Sequence, residues 1–203
     1  ILLGIILVVF FQSFESFSRY GLKFLVTSEW NPVKDEYGAF TAIYGTLVTS
    51  FLSLLITIPL GVGTAIFITE DFVPKVVREI IGSFVELLAA IPSVVLGLWA
   101  IFVMEPFFRA FFVFLHNFFG WIPLFSTEPT GRNSLLAILI LVVMLLPIVT
   151  SIARDSLNQV PKKLRNAAYG IGASRWKTIF SVILPAALSG IMAGVLLALG
   201  RAM

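Results

Sequence analysis

Apolar residues along this chain run rather than alternate. Four stretches, at 41–69, 80–104, 134–152 and 182–203, each meet the roughly 20 residues that carry a helix across a bilayer. A fifth run, 1–11, is too short to cross and reads as the remnant of a span. Inside hydrocarbon every backbone amide must be paired within its own segment, so runs of this length are helices, and the short alternating segments of a barrel are absent. The pattern predicts an all-α fold, a polytopic transmembrane helical bundle with five visible spans. It is read as one domain over 1–203 that is incomplete at both ends, since the chain opens without Met inside an apolar run and stops inside another.

Pro59, Pro92 and Pro147 fall inside the runs, with Gly61 and Gly63 beside the first, and predict kinked or locally broken helices. The alternative is that Pro and Gly are simply common in transmembrane helices. Ala186, Gly190, Gly194 and Ala198 recur at intervals of four and predict a smooth stripe for close helix packing. Between the runs lie a loop over 12–40, a segment over 105–133 and a polar stretch over 153–181. Within the second, 106–121 holds seven phenylalanines together with Arg109, His116 and Asn117. It is either a further span or a helix lying at the interface, a choice that charge bias does not settle; three polar side chains in so short a run are costly in lipid, which favours the interface and makes His116 an interface residue.

Composition strengthens the membrane reading: 59% of residues are hydrophobic and 12% charged, against about half and a quarter in soluble domains. The formal charge of +3 does not point to nucleic acid, because the basic residues sit in short stretches between apolar runs and form no free face. The loops at 70–79 and 153–181 share eight Lys/Arg, against five in 12–40 and 105–133. That bias places the first pair in the cytoplasm and 12–40 and 105–133 outside. The chain has no cysteine, which removes disulfides and thiolate metal sites. No H-E-x-x-H or G-x-S-x-G pattern is present, and one histidine is a thin basis for acid–base catalysis. Gly172 to Thr178 loosely follows a phosphate loop, but Trp176 stands where that loop needs glycine, so nucleotide is not expected to bind here.

The stretch 153–181 carries six Lys/Arg and one acid, Asp155. Within it Val160, Leu164, Ala167, Ala168 and Ile171 share one helical face, while Lys162, Lys163 and Arg165 point elsewhere. Pro161 suits a first helical turn, and Gly172, free to take positive φ, ends the helix. A second short helix, Ser174 to Phe180, then leads to Pro185 at the mouth of the last span. On physics alone this is either a partner-docking hairpin or a basic hairpin resting on lipid headgroups.

Asn166-Ala167-Ala168, three residues, Gly172, nine residues, then Val182-Ile183-Leu184-Pro185 resembles the E-A-A-x-x-x-G-x(9)-I-x-L-P signature of bacterial ABC importer permeases. The resemblance implies a type I, MetI-like bundle with a sixth span beyond this chain's end. It also implies that Asn166, Ala167, Ala168, Gly172, Ala173, Ser174 and Pro185 couple the spans to a separate ATPase. Asn166 replaces the usual acid and cannot form a charged pair. Ser28-Glu29-Trp30-Asn31-Pro32, Ile43-Tyr44-Gly45-Thr46-Leu47, Ala90-Ile91-Pro92-Ser93 through Trp99, and Gly200-Arg201-Ala202-Met203 are similar to the phosphate-importer branch of the family. Phosphonate, molybdate and sulfate permeases, and an ATPase-independent channel or secondary transporter, stay open as alternatives. The implied partners are a second homologous permease subunit, two copies of an ATP-binding subunit and an external phosphate-binding protein, all at the bacterial or archaeal cytoplasmic membrane. No cofactor is expected on this chain, ATP and Mg being used by the partner.

An oxyanion crossing hydrocarbon must be met by donors or positive charge. Arg201, after a long apolar run, is the first candidate, its guanidinium fork matching tetrahedral oxygens; otherwise it snorkels to headgroups. Glu86 either pairs with Arg201 or another base, or packs helices near the boundary. Ser93, following Pro92, offers a hydroxyl where the helix is broken, or bonds its own backbone.

Overall fold

The computed structural model describes residues 1–123, 125, 126 and 133–203, the side chains at 15 and 16 excepted. Two compact units are present, Ile1–Val48 and Thr49–Met203.

The first unit begins with helix α1, Leu2–Tyr20, followed by the single-turn α2, Lys23–Val26. A two-stranded hairpin, absent from the sequence-based expectation, pairs β1 (Trp30–Asn31) with β2 (Glu36–Tyr37) antiparallel, Trp30 opposite Tyr37. Its turn is built by Asn31, whose side-chain oxygen accepts from Val33 N at 3.1 Å and Lys34 N at 3.3 Å, the local bonding that suits Asn to turns. Asp35 closes it at φ 57°, accepts from Tyr20 Oη at 3.0 Å and pairs with Arg19. Gly38 follows because a Cβ there would lie 2.0 Å from the carbonyl oxygen of Thr27.

α3, Phe40–Thr69, continues unbroken through Pro59 and supplies the first helix of the second unit. A turn over 70–74 leads to α4, Lys75–Ala90. Ile91 is extended, at ψ 125°, because the ring of Pro92 excludes the helical region for the residue before it. Helix then runs from Ser93 to Phe119 as α5 (Ser93–Trp99), a π-helical segment (Ala100–Met104) and α6 (Glu105–Phe119). α7, Ser134–Gln159, passes through Pro147 and is capped by Asn133, whose Oδ1 accepts from Leu136 N at 2.8 Å. α8 spans Lys162–Gly170 and α9 Arg175–Thr178; a second π segment (Ile179–Ile183) joins α9 to α10, Leu184–Ala202.

Among the described residues four helices are long and apolar enough to cross a membrane: Phe40–Thr69, Ser93–Phe119, Ser134–Gln159 and Arg175–Ala202. This redraws two expectations. The span placed at 80–104 divides at Ile91-Pro92, and the segment read as interfacial, 105–133, contributes its first fifteen residues to the helix that starts at Ser93. Positions 124 and 127–132 of that segment lie outside the described residues. His116 bonds the Phe125 carbonyl at 2.7 Å, past the helix end. The short helix expected over Ser174 to Phe180 likewise merges with the last span. In both mergers the π segment holds the residue four before a proline, Phe102 for Pro106 and Ser181 for Pro185. A widened turn there removes the clash between the ring and that carbonyl, so the helix bends without stopping.

α7 lies at the centre of the second unit. Against α3, a Cβ at Gly61 would meet Val149 at 2.9 Å; against α10, one at Gly190 would meet Ser156 Oγ at 2.2 Å and one at Gly194 Ile152 at 2.9 Å. Gly190, Gly194 and the fully buried Ala198 are the expected stripe, but Ala186 is exposed and Ala187 is buried instead. Spacing by four drifts about 40° per step around a helix, so the row leaves the contact after three members. Ser50 and Ser53 on α3 donate to the carbonyls of Ala202 at 3.0 Å and Ile138 at 3.3 Å. Thr57 and Thr150, equally buried, have hydroxyls without a partner among the described residues.

Candidate functional site

At the foot of α7 the chain leaves helix at Val160, extended at ψ 123° because Pro161 follows. Pro161 then opens α8. Its end is a Schellman turn: Ala173 N donates to Ala168 O at 3.0 Å and Gly172 N to Tyr169 O at 2.9 Å. Gly172 sits at φ +82° with open space where a Cβ would go, so conformation and not crowding requires glycine there. Ser174 caps α9, its Oγ accepting from Lys177 N at 3.4 Å, and its carbonyl accepts from Thr178 Oγ1 at 3.0 Å.

Two sides of this hairpin differ in kind. Inward, Val160 and Ala168 are buried. Arg165 reaches the turn between α3 and α4: Nη1 pairs with Glu70, and Nη2 donates to the carbonyl of Leu157 at 3.1 Å. Arg175 donates to the carbonyl of Asp71 at 3.1 Å, and the Asp71 carboxylate holds Arg78 at 2.7 Å. Phe72 stacks on Trp176 at 5.1 Å, and Trp176 on Phe180 at 5.9 Å. A cleft of about 150 Å³ remains between turn and hairpin, lined by Glu70, Asp71, Phe72, Tyr169, Arg175 and Ile179.

Outward, Lys162, Lys163, Asn166, Ala167, Gly172 and Ser174 are exposed. Leu164 is also open, at 43%, and Ile171 at 87%. The five apolar positions expected on one helical face divide, with Val160 and Ala168 inside and Leu164, Ala167 and Ile171 outside. The result is an exposed surface of apolar and basic side chains with no partner element among the described residues. Ala173 is half-buried, and Pro185 is exposed on α10.

Residues 57–203, most of the second unit and all of this hairpin, match the family described as "Binding-protein-dependent transport system inner membrane component". The chain belongs to that family. Among curated relatives it is 42% identical over 205 aligned positions to the phosphate transport system permease protein PstC of Mesorhizobium japonicum, covering 98% of this chain and 62% of that protein. It is 41% identical to the PstC protein of Pasteurella multocida, with 95% and 62% covered, and 37% identical to a probable ABC transporter permease, YqgH, of Bacillus subtilis, with 94% and 58% covered. The chain thus spans about three fifths of the length of these relatives. Its fold is that of an inward-facing MetNI methionine ABC transporter chain, at TM-score 0.59 and 22% identity, with 81% of this chain and 68% of that chain covered. The family and the four apolar helices make it a multi-pass membrane protein.

Within this membrane bundle the substrate-path candidates do not converge. Glu86 pairs with Arg154 at 3.4 Å, not with Arg201, and borders a cleft of about 450 Å³ with Lys75, Arg78, Glu79 and Arg154. Ile68, at the far end of α3, also lines that cleft, whereas Ser50 near the start of α3 bonds Ala202 beside Arg201. Those two positions lie about 27 Å apart along the helix axis. Arg201 is exposed and has no hydrogen bond or ion pair among the described residues. Ser93 is exposed in the first turn of α5. Sequence reasoning missed Glu70, Asp71, Phe72, Arg165, Arg175 and Trp176. The available signal was an acid pair, Glu70-Asp71, directly after an apolar run in a chain with few acids.

Proposed function

We propose that this chain is a membrane-spanning permease subunit of an ATP-driven importer of inorganic phosphate, and that hairpin 162–178 is the face that docks the ATP-hydrolysing partner. The observation that carries the reading is the hairpin itself. Of the signature positions, Asn166, Ala167 and Gly172 are exposed and Ala168 is turned inward, on a hairpin whose two arms grip the turn between α3 and α4. Identity to phosphate permeases over nearly the whole chain supports phosphate as cargo.

Turn 70–74 and the hairpin touch, so the eight Lys/Arg of 70–79 and 153–181 lie on one side, assigned to the cytoplasm by charge bias. ATP binding and hydrolysis occur on the partner, which exists in two copies, and this chain holds no nucleotide. A second, related permease completes the path, and an external phosphate-binding protein delivers the anion. Transport proceeds by alternating access, with Arg201 meeting the anion at one point of the path and Ser93 a donor at another. Glu86, held by Arg154, is structural. The subunit catalyses no reaction.

The test is uptake of labelled phosphate by liposomes holding the assembled transporter. Uptake that requires ATP, the ATPase subunit and the binding protein is expected. Uptake that proceeds without ATP makes the protein a channel or secondary transporter, and stronger competition by sulfate, molybdate or phosphonate than by phosphate changes the cargo.

A further inference from the structure

We infer that Arg165 and Glu70 form the joint through which displacement of the hairpin reaches α3 and α4, so that turn 70–74 and the hairpin travel as one body during the transport cycle. The inference rests on the reading of the hairpin as the ATPase-docking face.

Arg165 and Glu70 are withdrawn from solvent, at 19% and 12% exposure, while the neighbouring Lys162, Lys163 and Asn166 are open. One guanidinium ties three elements: its own helix α8, the end of α3 through Glu70 and the end of α7 through Leu157 O. The second arm of the hairpin repeats the grip, Arg175 on the Asp71 carbonyl and Trp176 on Phe72. Both arms therefore hold the same five-residue turn, and that turn connects directly to α4. Phe72 also packs against the buried cluster that includes Ala65, Leu157 and Ile179, so the turn cannot shift alone.

An ion pair of this kind adds little net stability over an apolar pair of the same shape, but it fixes register. Register is what a coupling element needs: a pull on α8 moves α3 only if the contact does not slide. Successive residues of a helix point about 100° apart. Arg165 can therefore face the turn while Asn166 faces outward, which separates the joint from the docking surface.

The experiment uses the assembled transporter in liposomes and reads phosphate imported per ATP hydrolysed. With Glu70→Gln or Arg165→Gln the ATPase subunit still co-purifies and hydrolysis continues, while the ratio falls about tenfold, a size within the usual range of site-to-site coupling. The exchanged pair, Glu70→Arg with Arg165→Glu, recovers at least half of the wild-type ratio. These 203 residues hold no native thiol, so Glu70→Cys with Arg165→Cys, in an assembly cleared of any other accessible cysteine, can be joined by a short bis-methanethiosulfonate. The bridged form regains coupling and the unbridged form does not. A structural role alone would lower assembly and leave the ratio of surviving complexes unchanged, and that result overturns the joint. So does a bridge that blocks uptake, which would mean that turn and hairpin must separate. Absence of ATP-driven uptake in the unsubstituted assembly overturns the transport reading instead, and the joint with it.

Discussion

Single positions carry distinct physical demands in this chain. At Gly172 the demand is backbone conformation: φ is +82° and a side chain has room. Gly172→Ala should cost about 1 kcal/mol in the hairpin, and Gly172→Asn less, because Asn tolerates the left-handed region. A β-branched residue should cost most and uncouple hydrolysis from uptake; normal co-purification of the ATPase together with normal uptake in Gly172→Val refutes this. At Thr57 and Thr150 the demand is opposite, since each buries a hydroxyl without a partner among the described residues. Thr57→Val keeps the shape and removes the orphan, so the detergent-solubilised complex should melt at the same temperature or higher, by up to about 1 kcal/mol of stability. A fall in Tm would mean that the hydroxyl has a partner in the assembled protein. Arg201→Ala and Arg201→Lys should both lower phosphate uptake with docking intact, Lys keeping charge and losing the fork; unchanged uptake in the Ala variant removes Arg201 from the path.

At the scale of elements, contact between α7 and α10 depends on missing side chains. Gly190 faces Ser156 so closely that even a methyl group meets Oγ at 2.2 Å. Gly190→Ala should destabilise by about 1–3 kcal/mol, the usual cost of overpacking. Adding Ser156→Gly should return part of that loss, a coupling visible in a double-mutant cycle of Tm values. Independent effects of the two changes would show that the helices separate instead of locking. The two π segments belong to the same scale. They carry α6 past Pro106 and α10 past Pro185, and so keep Ser93–Phe119 and Arg175–Ala202 long enough to span.

Across the whole molecule, positive charge is concentrated on the side of the hairpin proposed to dock the ATPase, where eight of the fourteen Lys/Arg lie in 70–79 and 153–181. The outer side of the hairpin presents Lys162 and Lys163 with the exposed Ile171 and Leu164, a mixed surface whose charged part is screened over roughly 8–10 Å at moderate salt. Association with the ATPase subunit should weaken as salt rises. Lys162→Glu with Lys163→Glu should reduce association at low salt and flatten its salt dependence. Equal binding by wild type and the double variant across the salt series would place the docking energy in the apolar residues alone.

What the sequence determined by itself follows from rules that act locally. Runs of apolar residues must be helix in lipid, whatever surrounds them, which made the all-α bundle legible, and the turn chemistry of Pro161 and Gly172 fixed the hairpin's first helix. The spacing from Asn166 to Pro185 identified the family. Tertiary structure decided the rest because those features depend on partners distant in sequence. Ile91 to Phe119 was misdivided, since hydropathy sums apolar content and does not register a proline that stops one helix while a π segment carries another past the next. The inner and outer sides of α8 were split by the turn at 70–74, 95 positions away from Arg165 in the case of Glu70. Glu86 met Arg154 and not Arg201, because helix packing put the two candidates at opposite ends of α3. A charge's own residue type and depth can be read from sequence; which opposite charge it meets is set only when the helices pack.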